Sequence, residues 1–325
     1  MRFNIELPKK LNKINYFEKN EEGCTLVSHN GVNSDVYIIV SYPMDIEKSF
    51  AITDSTLQAI VKLQPDVEVK LNEKSIVATS KKGRYTGKYI NNDFAKPNTN
   101  YENNCEVDLD ILSKASNFAS SSEKKPILMG VNVDANSNMI ATDGFKIFEY
   151  RSNASNNLEG SITIDANLIK IASGIFSNKN TVAFVDGNVM VVGRLLEGKF
   201  PSLANIFKMI ENEGKHPLNK NEILECLDFT KIAGANVKVK DIGIYAILQE
   251  NKFIGKSDET FEKEITYHGG EIIFDANYLE LVLKSFKTNN VEIATRESGK
   301  GSLACFTEEN NVKEKVVLLG IAKEI

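Results

Sequence analysis

Hydrophobic and polar positions along the chain alternate in short blocks, and one block recurs. Ser161-Ile-Thr-Ile-Asp-Ala-Asn-Leu-Ile-Lys-Ile-Ala-Ser-Gly-Ile-Phe is similar to Glu271-Ile-Ile-Phe-Asp-Ala-Asn-Tyr-Leu-Glu-Leu-Val-Leu-Lys-Ser-Phe. A weaker copy is Ser49-Phe-Ala-Ile-Thr-Asp-Ser-Thr-Leu-Gln-Ala-Ile-Val-Lys-Leu. Each reads as a short strand, an Asp placed to cap a helix, and an amphipathic helix. In the last copy Leu279, Val282, Leu283 and Phe286 fall on one helical stripe; in the middle copy Leu168, Ile171, Ala172, Ile175 and Phe176 do. A hairpin pattern follows each copy: 67–71 with 75–79, 182–185 with 189–192 across Asp186-Gly-Asn, and 291–295 with 303–306.

The capping positions Asp54, Asp165 and Asp275 are 111 and then 110 residues apart, a domain-sized period rather than a solenoid repeat. Upstream of each copy the pattern predicts another helix, at 8–17, 108–119 and 219–233. Further strands are predicted at 36–42, 127–133, 139–142 and 242–248. Polar stretches at 91–104 and 211–217 read as linkers. The expectation is an α+β protein of three repeated domains, 1–104 (divergent and short), 105–212 and 213–325, each of two helix-plus-antiparallel-strand halves.

Composition narrows the function classes. The 325 residues are 42% hydrophobic, with 39 Lys and Arg against 44 Asp and Glu, net −5. That composition suits folded domains rather than disorder. The longest apolar runs, 36–40 and 316–321, are strand-sized, and no leader-like core opens the chain. The expected location is therefore cytoplasmic, with no membrane association. Cys24, Cys105, Cys226 and Cys305 are too scattered for a zinc or disulfide framework. His29, His216 and His268 fall in no metal or catalytic motif. No cofactor and no metal are expected.

Gly193-Arg-Leu-Leu-Glu-Gly198-Lys199-Phe200 approaches a phosphate-binding loop, but Phe200 stands where a magnesium-binding Ser or Thr is needed, and Pro201 follows. Thr142-Asp-Gly-Phe-Lys146 reads as a tight turn rather than an acid catalyst. No catalytic constellation emerges, so a non-catalytic binding role is expected. Lysines recur away from the apolar stripes of the expected helices: Lys9, Lys10 and Lys13; Lys62; Lys114; Lys170 and Lys179; Lys284 and Lys287. On one surface they would hold a polyanion without reading its sequence.

Three motifs carry a resemblance. Ile140-Ala-Thr-Asp-Gly-Phe-Lys-Ile147 resembles the Ala-Thr-Asp-Gly-His-Arg-Leu signature of the bacterial sliding clamp, the beta subunit of DNA polymerase III. Leu195-Leu-Glu-Gly-Lys-Phe-Pro201 resembles that family's Leu-(Ile/Val)-(Asp/Glu)-Gly-(Arg/Lys)-Phe-Pro-Asp-Tyr segment. Ile272-Ile-Phe-Asp-Ala-Asn-Tyr-Leu-Glu-Leu-Val-Leu resembles its third-domain Phe-Asn-x-x-Tyr-Leu-x-Asp-x-Leu. The likeness is good over 105–325 and faint over 1–104.

The resemblance implies the clamp fold and a head-to-tail homodimer closed into a ring. Sequence-independent double-stranded DNA would pass through a channel carrying the nine lysines above, and the partners would be a replicative polymerase and a clamp loader. It also implies a pocket for partner peptides, formed by Leu128, Thr142, Gly144, Phe145, Lys146, Ile147, Pro201, Ile206, Val316 and Leu318. At the dimer seam it puts Gly234 and Ala235 opposite a first-domain side that includes Tyr85. Phe145 replaces the family's usual His, Leu203 its Tyr, and Val316-Val-Leu-Leu-Gly-Ile-Ala-Lys-Glu-Ile325 its Val-Met-Pro-Met-Arg-Leu ending. These departures predict an altered motif preference and, with small residues at the seam, a weaker dimer; they are compatible with a phage or mobile-element copy. The alternative is a homo-oligomeric interaction scaffold that keeps the fold without encircling DNA. A degenerate phosphate-loop enzyme is a third.

Overall fold

The short β-rich runs, broken by Gly, Asn and Ser turns, carry backbone groups that neighbouring strands must satisfy. In the computed structural model they do so in four antiparallel sheets, joined by five α-helices among the described residues. The structure describes residues 2–321 except 4, 8–10, 31–35, 91–96, 98–100, 102, 106, 170–174, 178–180, 187, 235–242, 258, 299–300 and 310. Contacts gather the chain into two units. Unit 1 holds Met1–Leu109, Asn156–Glu159 and Asn167–Leu195; unit 2 holds Asp110–Ser155, Gly160–Ala166 and Leu196–Ile325.

In unit 1, an eight-stranded sheet runs β5 (Phe50–Thr53), β2 (Ile14–Asn20), β3 (Gly23–His29), β4 (Val36–Tyr42), β16 (Val189–Arg194), β15 (Thr181–Asp186), β14 (Ile175–Ser177), β9 (Asn103–Cys105). A four-stranded sheet runs β1 (Arg2–Phe3), β6 (Val67–Leu71), β7 (Ser75–Ser80), β8 (Gly83–Lys88). Between them Phe17 stacks on Phe50 at 4.9 Å and meets Phe3 edge-on at 5.9 Å. Helix α1 (Asp54–Lys62) adds Leu57 and Ile60 to that core.

In unit 2, the eight-stranded sheet runs β13 (Ile162–Asp165), β10 (Gly130–Val133), β11 (Met139–Thr142), β12 (Lys146–Tyr150), β24 (Asn311–Gly320), β23 (Gly301–Glu308), β22 (Asn290–Ser298), β17 (Lys215–Asn219). Its four-stranded sheet runs β20 (Thr260–Glu264), β19 (Lys252–Lys256), β18 (Tyr245–Gln249), β21 (Ile272–Asp275). Helices α2 (Leu109–Ser116), α3 (Ala204–Ile210), α4 (Lys220–Gly234) and α5 (Ala276–Ser285) complete it. The Asp275 carboxylate accepts from the Asn277 and Tyr278 amides at 2.8 and 3.1 Å, capping α5 as its sequence predicts. The stripe of Leu279, Val282, Leu283 and Phe286 is buried. Gly255 lets β19 pass close to α4, since a Cβ there would sit 1.9 Å from the Thr230 hydroxyl.

The sheets cross the sequence periods: β4 of the first pairs with β16 of the second, and β12 of the second with β24 of the third. Several local expectations give way to this pairing. The helix expected over 8–17 is replaced from Ile14 onward by β2, held on both sides by β3 and β5; residues 8–10 lie outside the described set. Ladder bonds there override a weak helical pattern. Thr53 rather than Asp54 caps α1, its hydroxyl accepting from the Thr56 amide at 3.3 Å, because the helix begins one residue early and Asp54 is already its first residue. Of the middle copy's helix, Ile175 and Phe176 belong to β14 and 170–174 lie outside the described residues. The polar stretch before Pro217 is in part β17, a sheet edge, where proline's missing N–H is tolerated. A 3-10 turn, Pro126–Met129, occupies the start of the strand expected at 127.

Candidate functional site

The Thr142-Asp-Gly-Phe-Lys146 segment turns β11 into β12, and its side chains fix it. The Thr142 hydroxyl donates to the Lys146 carbonyl at 2.8 Å and accepts from the Gly144 amide at 3.0 Å. One Asp143 oxygen accepts from the Phe145 and Lys146 amides at 2.9 and 3.0 Å, and the other pairs with the Lys146 ammonium. Gly144 takes φ +100°, a region that favours glycine, with open space where a Cβ would lie. This turn holds Phe145 out in solvent, 59% exposed, stacked 6.2 Å from the Tyr278 ring. The buried Lys146 ammonium lies 5.0 Å over the same ring. Burial, then the Asp143 charge, pushes the Tyr278 hydroxyl above its ordinary range, so it stays protonated near neutrality. The Phe145 carbonyl accepts from the Leu319 amide at 2.9 Å, which brings the exposed Leu319 beside it.

Strand parity decides what else faces this turn. Ile147 is opposite Val317, and both join Phe207, Ile210, Leu303 and Cys305 in one cluster, with Leu203 and Ile206 against it. Val316 and Leu318 are opposite Phe148 and Lys146, so they point to the other side of the sheet, where they are fully buried. On the Ile147 side their places are taken by Val317 and Leu319. Of the ten expected pocket residues, the structure gathers Ile147 and Ile206 on one apolar face and puts Thr142, Gly144 and Phe145 in the adjoining turn. Lys146 is turned inward. Leu128 is buried in the 3-10 turn, and Pro201 is exposed ahead of Leu203. Val317 and Leu319, which share the Ile147 side, are not among the residues expected from the sequence, because an unbroken apolar run has no readable face. Tyr278, which stacks on Phe145, is not among them either, although the third motif contains it.

The lysines divide. Lys9, Lys10, Lys170 and Lys179 lie outside the described residues. In unit 1, Lys13 is exposed ahead of β2 rather than on a helix, and Lys62 is exposed in the last turn of α1. In unit 2, Lys114, Lys284 and Lys287 line a cleft of about 570 Å³ between α2 and α5, with Asp110 and Glu280. Lys284 pairs with Glu280 at 2.8 Å, and Glu280 also holds Lys231. Hydrogen bonds from Lys231 and Lys284 keep the Glu280 carboxyl below its usual range. Lys114 departs from expectation: its ammonium pairs with the buried Glu314 and sits 5.7 and 5.5 Å over the Phe148 and Phe286 rings. It serves the core rather than presenting charge to solvent, because β24 supplies a carboxylate beneath it.

At the expected seam, Tyr85 is a half-buried residue of β8 whose hydroxyl is 3.3 Å from that of Thr56. Gly234 ends α4, and Ala235 lies outside the described residues. One turn earlier, α4 exposes Phe229 and Ile232, at 49% and 69%, with Phe229 stacked 5.2 Å from Phe261 of the edge strand β20. Neither apolar residue was singled out from the sequence.

Nothing resembling a catalytic centre accompanies these surfaces among the described residues. Cys24, Cys226 and Cys305 are buried, with thiols pushed up to about 11, chiefly by burial. No cluster of three metal-ligating side chains occurs among the described residues. Gly193 lies in β16, and α3 begins only at Ala204, so the near phosphate loop opens no helix at Lys199.

No family model and no curated protein sequence matches the chain. Solved structures do. The DNA polymerase III subunit beta from Pseudomonas aeruginosa superposes with a TM-score of 0.79 at 17% identity, over 95% of this chain and 93% of that one. The DNA polymerase sliding clamp from Caulobacter crescentus gives 0.79 at 16%, over 98% and 94%. That from Bacillus subtilis gives 0.77 at 17%, over 95% and 91%. The chain has the sliding-clamp fold. Of the exposed large hydrophobics among the described residues, Phe145 and Leu319 lie at the β12–β24 junction, Phe229 and Ile232 on the α4–β20 face, and Met209 on α3. No helix among the described residues is long and apolar enough to cross a membrane.

Proposed function

We propose that the protein is a DNA sliding clamp: a non-catalytic processivity factor of DNA replication, acting in the cytoplasm, that encircles duplex DNA and tethers a replicative polymerase. The observation that carries this reading is the extent of the likeness, a shared fold over 91–98% of both chains in each comparison. The sequence periods 1–104, 105–212 and 213–325 then serve as three clamp domains, and two chains close head to tail into a homodimeric ring. A clamp loader would place the ring on DNA.

In this reading the partner peptide docks on the face that carries Ile147, Ile206 and Val317, with Phe145, Leu319 and Tyr278 at its edge. An apolar groove with a few polar contacts suits an extended peptide with aliphatic or aromatic anchors. Val317 and Leu319 replace Val316 and Leu318 in the proposed pocket. The DNA-facing charge falls to Lys284 and Lys287 among the described unit 2 residues, with Lys13 and Lys62 in unit 1 and Lys9, Lys10, Lys170 and Lys179 carried from the sequence. Phe229 and Ile232 join Gly234, Ala235 and the partner copy's first-domain side at the seam, and their apolar area offsets the small residues there. Retention on nicked circular DNA, with rapid loss once that DNA is linearised, is the expected result. Equal retention on the two forms would refute encirclement.

One observation favours the second reading, an interaction scaffold that does not encircle DNA. Lys114 is spent inside the core and Lys284 is matched by Glu280, which leaves the α2–α5 cleft less basic than its lysines suggest. The same DNA-retention experiment separates the two.

A further inference from the structure

A cavity of about 450 Å³ opens at the far end of α3, on the side of the unit 2 sheet that carries Ile147. It shares none of the ten pocket residues expected from the sequence. Its floor is apolar: Phe207 and Ile210 from α3, Ala294 from β22 and Cys305 from β23. The Cys305 thiol, pushed up to about 11 by burial against the opposing pull of Lys315 and Lys215, is neutral near pH 7 and does not spoil that floor.

Its rim is charged and lopsided. Lys313 and Lys315 alternate with buried residues of β24 and share the Val317 side; Arg151 follows β12, and Lys215 begins β17. Carboxylates line only the α3 end, as Glu211 and Glu213. The existing ion pairs leave room for a ligand. Lys315 reaches Glu211 only at 3.9 Å, and Lys313 has no ion pair among the described residues. Arg151 and Lys215 turn to Glu149 and Glu292, at 3.2 and 2.7 Å, neither of which lines the cavity. The cations of both pairs are about half exposed, and pairs so open to solvent on the cation side are weak and exchange readily. Four cations around an apolar floor, in a chain of net charge −5, form a polarised site with its positive side on the strands and its apolar side on α3.

We infer that this cavity binds a carboxylate carried on a short apolar body, with the carboxylate toward Lys313 and Lys315 and the apolar body over Phe207 and Ile210. Acidic peptide side chains and free carboxylic acids share that chemistry. The volume suits one large side chain with its head group and lies within the range of small-ligand sites. The inference does not depend on DNA encirclement or on the peptide groove beside Phe145.

The test uses the full chain with methyl-labelled Ile and Ala. Two probe pairs are titrated: 4-phenylbutyrate against 4-phenylbutanol, and acetyl-Phe-Glu-amide against acetyl-Phe-Gln-amide. The acids should shift the Ile210 and Ala294 methyl signals and bind about tenfold more tightly than their neutral partners, as charge-assisted bonds would give. The tighter acid identifies the source. Lys313→Glu with Lys315→Glu should abolish that preference, whereas Phe145→Ala should leave it intact. Lys313→Gln, which removes one exposed charge at little risk to folding, should reduce it partway. Equal binding of acid and neutral probe, shifts confined to other methyl groups, or a preference that survives charge reversal would overturn the assignment.

Discussion

The two eight-stranded sheets follow one plan: β5-β2-β3-β4-β16-β15-β14-β9 in unit 1 and β13-β10-β11-β12-β24-β23-β22-β17 in unit 2. Their central junctions correspond residue by residue. Tyr37 opposite Val192 occupies the place of Ile147 opposite Val317, and each pair belongs to an apolar cluster, with Ala183 or Cys305 as the next-strand neighbour. The difference lies at the rim. Where unit 2 ends its junction on the exposed Leu319, unit 1 ends on the exposed Arg194. All five exposed large hydrophobics among the described residues, Phe145, Met209, Phe229, Ile232 and Leu319, belong to unit 2. The shared architecture therefore supplies a platform, and a few rim residues decide whether that platform presents apolar or charged surface to solvent.

The largest effect should come from the buried pair that ties α2 to β24. Lys114→Met leaves the Glu314 carboxylate without its partner and should cost about 3–5 kcal/mol in chemical denaturation. Adding Glu314→Leu should restore most of it, and failure of that rescue would mean the pair is not the reason Lys114 faces inward. Asp143→Asn should cost on the same scale, because it weakens the turn bonds and also leaves the buried Lys146 ammonium without its carboxylate; it is read as well by a loss of Phe145–Tyr278 stacking in NMR.

Next come the two faces of β24. Leu318→Ala should cost about 2–4 kcal/mol, because it hollows the fully buried side. Phe145→Ala with Leu319→Ser should cost less than about 1 kcal/mol in stability yet weaken a polymerase tail peptide about tenfold or more. Arg194→Ser, the matching change in unit 1, should leave peptide affinity unchanged. The reverse pattern, in which Leu318→Ala alone removes binding from a folded protein, would return the pocket to the other side of the sheet.

A smaller effect is expected at Glu308. Burial pushes its carboxyl up, but the Thr288 and Lys287 amides, Asn311 and the Lys114 charge outweigh this and hold it below the usual range. Its stabilising contribution is therefore full above the ordinary carboxylate range and is lost as pH falls through the depressed value. Glu308→Gln should cost about 1–2 kcal/mol at pH 7 and flatten the acid limb of the stability curve.

Much of this was legible locally. The strand at 36–42 and the Asp275 cap coincide with β4 and the start of α5, since alternation and capping depend on a few neighbouring residues. The Asp143-Gly144 turn was equally readable, and so was Phe145, singled out by a motif before its exposure could be known. The helix expected over 8–17 failed from Ile14 onward because β2 is claimed from both sides by strands.

The sequence by itself determined the threefold period, most hairpins and the composition of the apolar face. Only the tertiary structure decided that sheets run across the periods, that Val317 and Leu319 rather than Val316 and Leu318 share a side with Ile147, and that Lys114 belongs to the core. The reason is physical: a strand buried on both sides is apolar at every position, so its facing is set by the register of its neighbours. A lysine likewise turns inward only when a distant strand offers a carboxylate within reach.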